Sequence, residues 1–362
     1  MRKLRVAVVG SGVGTGHVES YQELPDMYEV AALCDIDPVR GKALAEKQSI
    51  PHFVTDLEEL FKLKLDLIDI CTPSSLHFDQ ACAALKAGFD IVVEKPVARS
   101  LAEMDILEKL TKETGRVICP VFQYRFGHGF QKLHHLVNKG VTGQPLMATA
   151  ETHWYRAEEY YNAAAWRGTW DGETGGCFTT HAIHINDMLC EMFGAVKSVY
   201  ARTSRLVNGN QTEDLGVLSL EFQNGAMATS TATLGSRQQT SRLRFCFRDL
   251  VAESGLSPYN PGHEPWTFPN DDAATVAKIA EALVDFVPRP ERNPGQFYRL
   301  HKALTEGGPL PVTLADARRS VELLTAIYYS SLKNEPVALP LGQDHPFYNG
   351  WLDTMKKATV HG

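Results

Sequence analysis

The chain has 362 residues, 44% of them apolar and 22% charged, with a formal net charge of −7. That length favours two domains over one core, and a negative balance without any basic run argues against a nucleic-acid partner. The seven cysteines lack CxxC spacing and read as reduced thiols of a cytoplasmic protein, with neither a disulfide framework nor a zinc site; no apolar run approaches the roughly 18 residues of a membrane span, and the apolar start of the chain is too short for a signal peptide.

The first third alternates apolar runs with helical patterns. Residues 4–9, rich in valine, predict a buried strand. Gly10, Gly12, Gly14 and Gly16 follow, and a helix is expected over 17–24. A strand, a glycine turn and a helix start form an anion site, because glycine admits a pyrophosphate and the helix terminus points unpaired N–H groups at it. Gly10 and Gly12 fit G-x-G-x-x-G, but Thr15 holds the third glycine slot, so a slightly irregular loop is expected. A second apolar strand ends in Asp35, about where an acid takes the ribose hydroxyls of NAD. Helices are expected over 38–48, 57–61, 75–87 and 101–114, and strands over 51–54, 65–71, 90–94 and 116–121. This alternation predicts a parallel doubly wound sheet, an NAD(P)-binding Rossmann domain over 1–124. Ligands of such sheets sit beyond the carboxyl ends of the strands, here Gly10, Asp35, Thr72-Pro73, Glu94-Lys95-Pro96 and 122–125.

After residue 125 the texture changes. A helix over 130–138 leads into alternating segments at 146–155, 196–205, 215–222, 226–233 and 243–247, with Asn208-Gly209 and Asn224-Gly225 as turns. The pattern predicts an α/β domain over 125–362 with a large, open, mainly antiparallel sheet, one face wet or packed on a partner. One helix is expected over 177–193, two late helices over 274–287 and 315–332, and a surface loop over 255–272.

Two places carry candidate chemistry. Lys95, at a strand's carboxyl end and before a proline, would stand beside a nicotinamide, where a cationic ring makes it release its proton more readily. On a continuous helix at 100° per residue, Thr180, His184 and Asp187 share a face and His181 lies near its edge. A histidine with a carboxylate one turn away suits general acid/base work. Asp187 either orients His184, or binds substrate hydroxyls or caps structure while His184 acts mainly as a hydrogen-bond donor beside a catalytic Lys95, the second reading being favoured. The spacing is not HExxH, so no metal is expected. Trp154, Tyr155, Tyr160, Tyr161, Trp166 and Trp170, with Arg156 and Arg167 among them, suit a polyhydroxylated ligand or a subunit interface.

Together the glycine loop with His17, Cys34-Asp35-Ile36-Asp37, Thr72-Pro73-Ser74-Ser75-Leu76-His77, Glu94-Lys95-Pro96, Gln123-Tyr124-Arg125-Phe126, Gly175-Gly176 with His184 and Asp187, and the stretch 330–340 resemble the Gfo/Idh/MocA family of glucose–fructose oxidoreductase and inositol dehydrogenase. The resemblance runs through nearly the whole chain. It implies NAD-dependent hydride transfer to or from a carbinol carbon of a sugar, polyol or derivative, with Lys95 and His184 as catalytic residues sharing the proton. The candidate cofactor contacts are Gly10, Gly12, Val13, Gly14, Asp35, Thr72, Pro73, His77, Glu94, Lys95, Gln123 and Arg167. The candidate substrate contacts are Lys95, Arg125, His153, Tyr155, Trp166, Thr180, His181, His184 and Asp187. NAD is expected over NADP, because Asp35 would repel a 2′-phosphate. A homodimer or homotetramer through the second sheet is expected. The alternatives are glycoside cleavage by transient oxidation, non-enzymatic sensing of a sugar or cofactor, and reduction of an imine or other non-sugar double bond. One departure stands out: many members of the family place an aspartate where Thr180 stands here.

Overall fold

A computed structural model describes residues 2–360. The chain divides into two compact units, 1–122 with 293–321, and 123–292 with 322–362. The segment 293–321, which sequence reading assigns to the second domain, therefore belongs to the first unit. Its helix Arg292–Glu306 was not foreseen. The Gln296 side chain accepts from the Phe122 N–H at 3.1 Å and donates to Pro120 O at 2.6 Å, and Phe297 stacks on Tyr21 with ring centres 4.1 Å apart. These are contacts between residues far apart in sequence, which local periodicity does not carry.

The first unit is built on six parallel strands: β1 (Leu4–Val9), β2 (Tyr28–Cys34), β3 (His52–Val54), β4 (Leu67–Ile70), β5 (Asp90–Val93) and β6 (Ile118–Pro120). Their spatial order is β3-β2-β1-β4-β5-β6. The central strands β1, β4 and β5 are buried on both faces, as near-continuous apolar runs require. The order reverses at β1, so the glycine loop after β1 and the turn after β4 lie at the switch point where such sheets take ligands. The structure bears out the Rossmann fold read from the sequence.

The second unit carries eight strands: β7 (Pro145–Tyr155), β8 (Val196–Ser204), β9 (Leu215–Phe222), β10 (Met227–Thr233), β11 (Gly235–Phe247), β12 (Val251–Ser254), β13 (Trp266–Thr267) and β14 (Val337–Ala338). Their order is β13-β12-β11-β7-β10-β9-β8-β14, antiparallel throughout except for β10 beside β7. Burial alternates along β9 and β10, as expected of a sheet covered on one face. Its other face exposes Met147, Val217 and Met227. β11 begins eight residues before the expected segment, and the expected loop 255–272 holds β13.

The expected helix 177–193 is two helices, Cys177–Thr180 and Ile183–Phe193. His181 leaves the helical region at φ −121°, ψ −61°, and Ala182 N–H reaches back five residues to Cys177 O at 2.8 Å. The apolar pattern runs on through this break, so periodicity gives no sign of it. No helix of the described residues is long and apolar enough to cross a membrane.

Candidate active site

In the first unit the glycine loop is shaped by two close approaches. Gly10 has φ +96°, and a Cβ there would lie 2.8 Å from Cys71 O. A Cβ on Gly14 would lie 2.8 Å from the Val8 side chain. Gly14 thus provides the tight helix-to-strand packing that the third glycine of the strict pattern provides, and Thr15 is free of that demand; its hydroxyl donates to Ser11 O at 2.7 Å. A Cβ on Gly12 would meet nothing within 4 Å, and the helix Gly14–Gln22 has no side-chain cap. Open space over Gly12 and an uncapped helix start fit a pyrophosphate.

Asp35, at the end of β2, is buried. Its carboxylate accepts from the Ser11 N–H at 2.7 Å, the Ser11 hydroxyl and the Asp37 N–H at 2.8 Å, and Arg40 Nη2 lies 3.0 Å from both oxygens. Burial opposes ionisation, but these donors prevail and hold the carboxyl below its ordinary range. An ionised acid here suits the ribose hydroxyls of NAD. The Arg40 contact was not anticipated.

Thr72 donates to Gln80 at 2.6 Å. His77 is buried with Nδ1 2.8 Å from Pro96 O and Nε2 2.8 Å from Thr72 O, so its ring ties the turn after β4 to the turn after β5. Burial lowers its pKa despite the two carbonyls. Among the candidate cofactor contacts, His77 thus serves as a brace for Thr72-Pro73 and Glu94-Lys95-Pro96.

Sequence reasoning noted His17 without giving it a role. Its Nδ1 lies 2.8 Å from Asp69 Oδ2 and 3.2 Å from Cys71 Sγ, and its Nε2 lies 3.3 Å from Glu94 Oε1. Burial alone would lower the His17 pKa, but Asp69 and Cys71 carry it well above the ordinary value. Glu94 Oε2 accepts the Lys95 N–H at 3.1 Å, so the charged ring holds the residue that precedes Lys95. His17, Asp69 and Cys71 have metal-type donor atoms within 4.8 Å of one another. A doubly protonated imidazole has no lone pair for a metal.

In the second unit the break at His181 decides which groups meet. Thr180 Oγ1 donates to Gly176 O at 2.8 Å, so it accepts from His181 Nδ1 at 2.5 Å. His181 Nε2 in turn accepts from Arg156 Nε at 3.2 Å. The ring is fixed in its Nδ1–H form. The shared face expected for Thr180 and His184 assumes an unbroken helix; the hydroxyl of Thr180 instead engages its neighbour. His184, one turn further and 5% exposed, stacks on Tyr124 with centres 4.4 Å apart and planes 28° apart, which fixes the plane of its ring.

Asp187 lies against Arg125, with Nε to Oδ2 at 2.6 Å and Nη2 to Oδ1 at 2.5 Å, and Arg125 Nη1 also reaches Glu191 at 2.8 Å. Both Asp187 and Arg125 are 5% exposed. This forked pair joins the turn Gln123–Phe126 to the helix Ile183–Phe193. Gln123 Oε1 is buried without a hydrogen-bond partner. The pleat of β7 turns His153 and Tyr155 to the face opposite Trp154, whose ring lies 5.2 Å from His181; His153 pairs with Thr231 at 2.8 Å. Arg167 lies over the rings of Trp166 and Tyr160 at 4.7 and 4.1 Å.

Sequence reasoning missed Glu213. It is buried, accepts the N–H groups of Gly176 at 2.9 Å and Phe178 at 3.2 Å and the Tyr328 hydroxyl at 3.0 Å, and so anchors the start of the helix Cys177–Thr180. Burial pushes its carboxyl up to about 7 against those donors.

Residues 4–122 match the family model described as oxidoreductase family, NAD-binding Rossmann fold, and residues 130–249 match the GFO/IDH/MocA C-terminal domain. Among curated proteins, the chain is 30% identical over 234 residues to the uncharacterized oxidoreductase YrbE of Bacillus subtilis, covering 63% of this chain and 66% of that one. It is 28% identical over 266 residues to D-glucoside 3-dehydrogenase of Escherichia coli, covering 67% and 74%. Among solved structures, the WlbA dehydrogenase of Bordetella pertussis, in complex with NADH and UDP-GlcNAcA, superposes with a TM-score of 0.83 at 28% identity, covering 94% of this chain and 99% of that one. With an NAD-binding sheet in its first unit and the family's C-terminal domain in its second, the chain belongs to the Gfo/Idh/MocA family of oxidoreductases.

Proposed function

We propose that the protein transfers a hydride between NAD and a CH–OH carbon of a sugar, polyol or sugar derivative. The observation that carries this reading is the ionised, buried Asp35 beside an open glycine loop, followed in the chain by Lys95 and His184, which the sequence resemblance matches to the family's lysine and histidine. A relative named for glucoside oxidation and a structural neighbour crystallised with NADH support it.

Gly10, Gly12, Val13 and Gly14 would hold the pyrophosphate, and Asp35 the adenosine ribose. When bound, NAD supplies the hydride acceptor. Lys95 and His184 handle the hydroxyl proton: one takes it as the C–H bond breaks, and the other donates a hydrogen bond to the oxygen as charge develops there. The stacked Tyr124 keeps the His184 ring in one plane. The open face of the second sheet, with Met147, Val217 and Met227 exposed, is the surface through which we expect copies of this chain to associate.

The test is a screen of sugars, polyols and sugar acids with NAD and NADP, followed at the nicotinamide absorbance. NADH formation with a free sugar or polyol supports the reading. Glycoside cleavage without net NADH, or cofactor binding without turnover of any alcohol, overturns it.

A further inference from the structure

The second unit has a cavity of about 800 Å³ at the end of β7, walled by the segment 155–169, the turn 207–211 and the start of β11. That volume is typical of a small-molecule site. Its walls carry Arg156, Arg167 and Arg237, and its lining holds one carboxylate, Glu158.

Several arginines of the molecule are held in close ion pairs, as Arg125 is by Asp187 and Arg99 by Glu103, each with a carboxylate oxygen within 2.6 Å. The three cavity arginines lie instead over aromatic rings. Arg237 lies 4.2 Å over Tyr155. Arg156 lies 4.9 Å over Tyr160 and donates to neutral acceptors, among them His181, Tyr155 O and the Tyr259 hydroxyl. Arg167 lies 4.1 Å over the same Tyr160 and forms a long ion pair with Glu173 at 3.9 Å. A guanidinium stacked by its face keeps its in-plane N–H fork available. Three like charges in one cleft repel one another and focus a positive potential into it. The lining has three forked cationic donors to one acid, an excess of positive charge that its amides, Asn162, Asn208, Asn210 and Gln211, do not offset although they can serve neutral hydroxyls.

We infer that this cavity binds an anionic group, a carboxylate or phosphate carried on a sugar-like body. The inference rests on the reading of the second unit as the substrate-binding part. The Arg156–His181 hydrogen bond links the cavity wall to the segment that leads to His184, so an anion drawing on Arg156 would be sensed at that segment.

The experiment titrates the NAD-loaded protein with glucose, glucuronate and glucose 6-phosphate, using calorimetry, for wild type and Arg237→Gln. Arg237 is exposed, so this variant keeps the fold; Arg156→Gln is the second variant. At least one charged sugar should bind about tenfold more tightly than glucose, as expected for added charge-assisted hydrogen bonds. The preference should shrink in high salt and in both variants. Whether glucuronate or glucose 6-phosphate leads identifies carboxylate or phosphate. The inference is overturned if glucose binds as tightly as both anions, if neither anion binds, or if the preference survives both substitutions. Binding is read without turnover: an Arg237-dependent preference with no NADH from any alcohol would defeat the dehydrogenase reading alone, and efficient oxidation of a neutral sugar that neither anion inhibits would defeat the anion site alone.

Discussion

His17 in the first unit and His181 in the second are buried to nearly the same degree, 1% and 6% exposed, yet their surroundings place their protons differently. His17 lies between the carboxylates of Asp69 and Glu94; burial alone would lower its pKa, but Asp69 and Cys71 carry it well above the ordinary value. His181 lies between a hydroxyl that can only accept and a guanidinium that can only donate, which fix one proton on Nδ1 and a lone pair on Nε2. Burial alone decides neither state; the partners do. Both rings are committed to their neighbours, which accords with the proposal that proton transfer falls to His184.

The largest effect expected from breaking such pairings is at Arg125. Arg125→Met leaves Asp187 and Glu191 without their guanidinium and should cost about 3–5 kcal/mol, read as a lower urea midpoint. Asp187→Asn should likewise act on stability and leave the basic limb of the pH profile in place. A shifted limb would restore the reading in which Asp187 orients His184.

A second prediction uses Glu213. Its folded pKa, about 7, lies above the ordinary 4.5, so the folded state binds its proton more tightly. Its contribution is full below pH 4.5 and is lost as pH rises through about 7, on the order of 3 kcal/mol in all. Glu213→Gln, which cannot ionise, should flatten that fall. Denaturant midpoints across the range check it; an unchanged slope would mean that Glu213 is not the group responsible.

These two anchors show what the sequence makes legible. The first sheet, the glycine loop, Asp35 and the turns holding Thr72 and Lys95 can be read because each lies where a strand ends, a local signal. The break at His181 cannot, since the apolar spacing runs through it. Glu213 and Asp69 gain their roles from contacts 37 and 52 residues away, to Gly176 and His17, which no window of periodicity spans. Arg40, five residues after Asp35, was seen only as the next basic residue; its approach depends on the turn between them.

Arg40 supplies a smaller effect. Asp35→Ser should narrow the preference for NAD over NADP, because it removes the charge that repels a 2′-phosphate and releases Arg40 to meet one. Asp35→Ser with Arg40→Ala should narrow it less. The ratio of kcat/KM with the two cofactors measures both; equal efficiency in wild type would overturn the role of Asp35. Smallest is Thr180→Asp. Thr180 engages His181, so this change should alter substrate KM through His181 and Arg156 and leave the basic limb unmoved; a moved limb would show that this slot tunes His184 after all.

The most direct test compares the three histidines in one measurement, the pH dependence of kcat with a substrate found in the screen. His184→Ala should lower kcat by about 10²–10⁴ and abolish the limb that belongs to proton transfer. His181→Asn and His17→Asn should retain that limb, whatever they cost in KM or stability. Wild-type-like turnover in His184→Ala, or loss of the limb in His181→Asn alone, would contradict the assignment of proton transfer to His184.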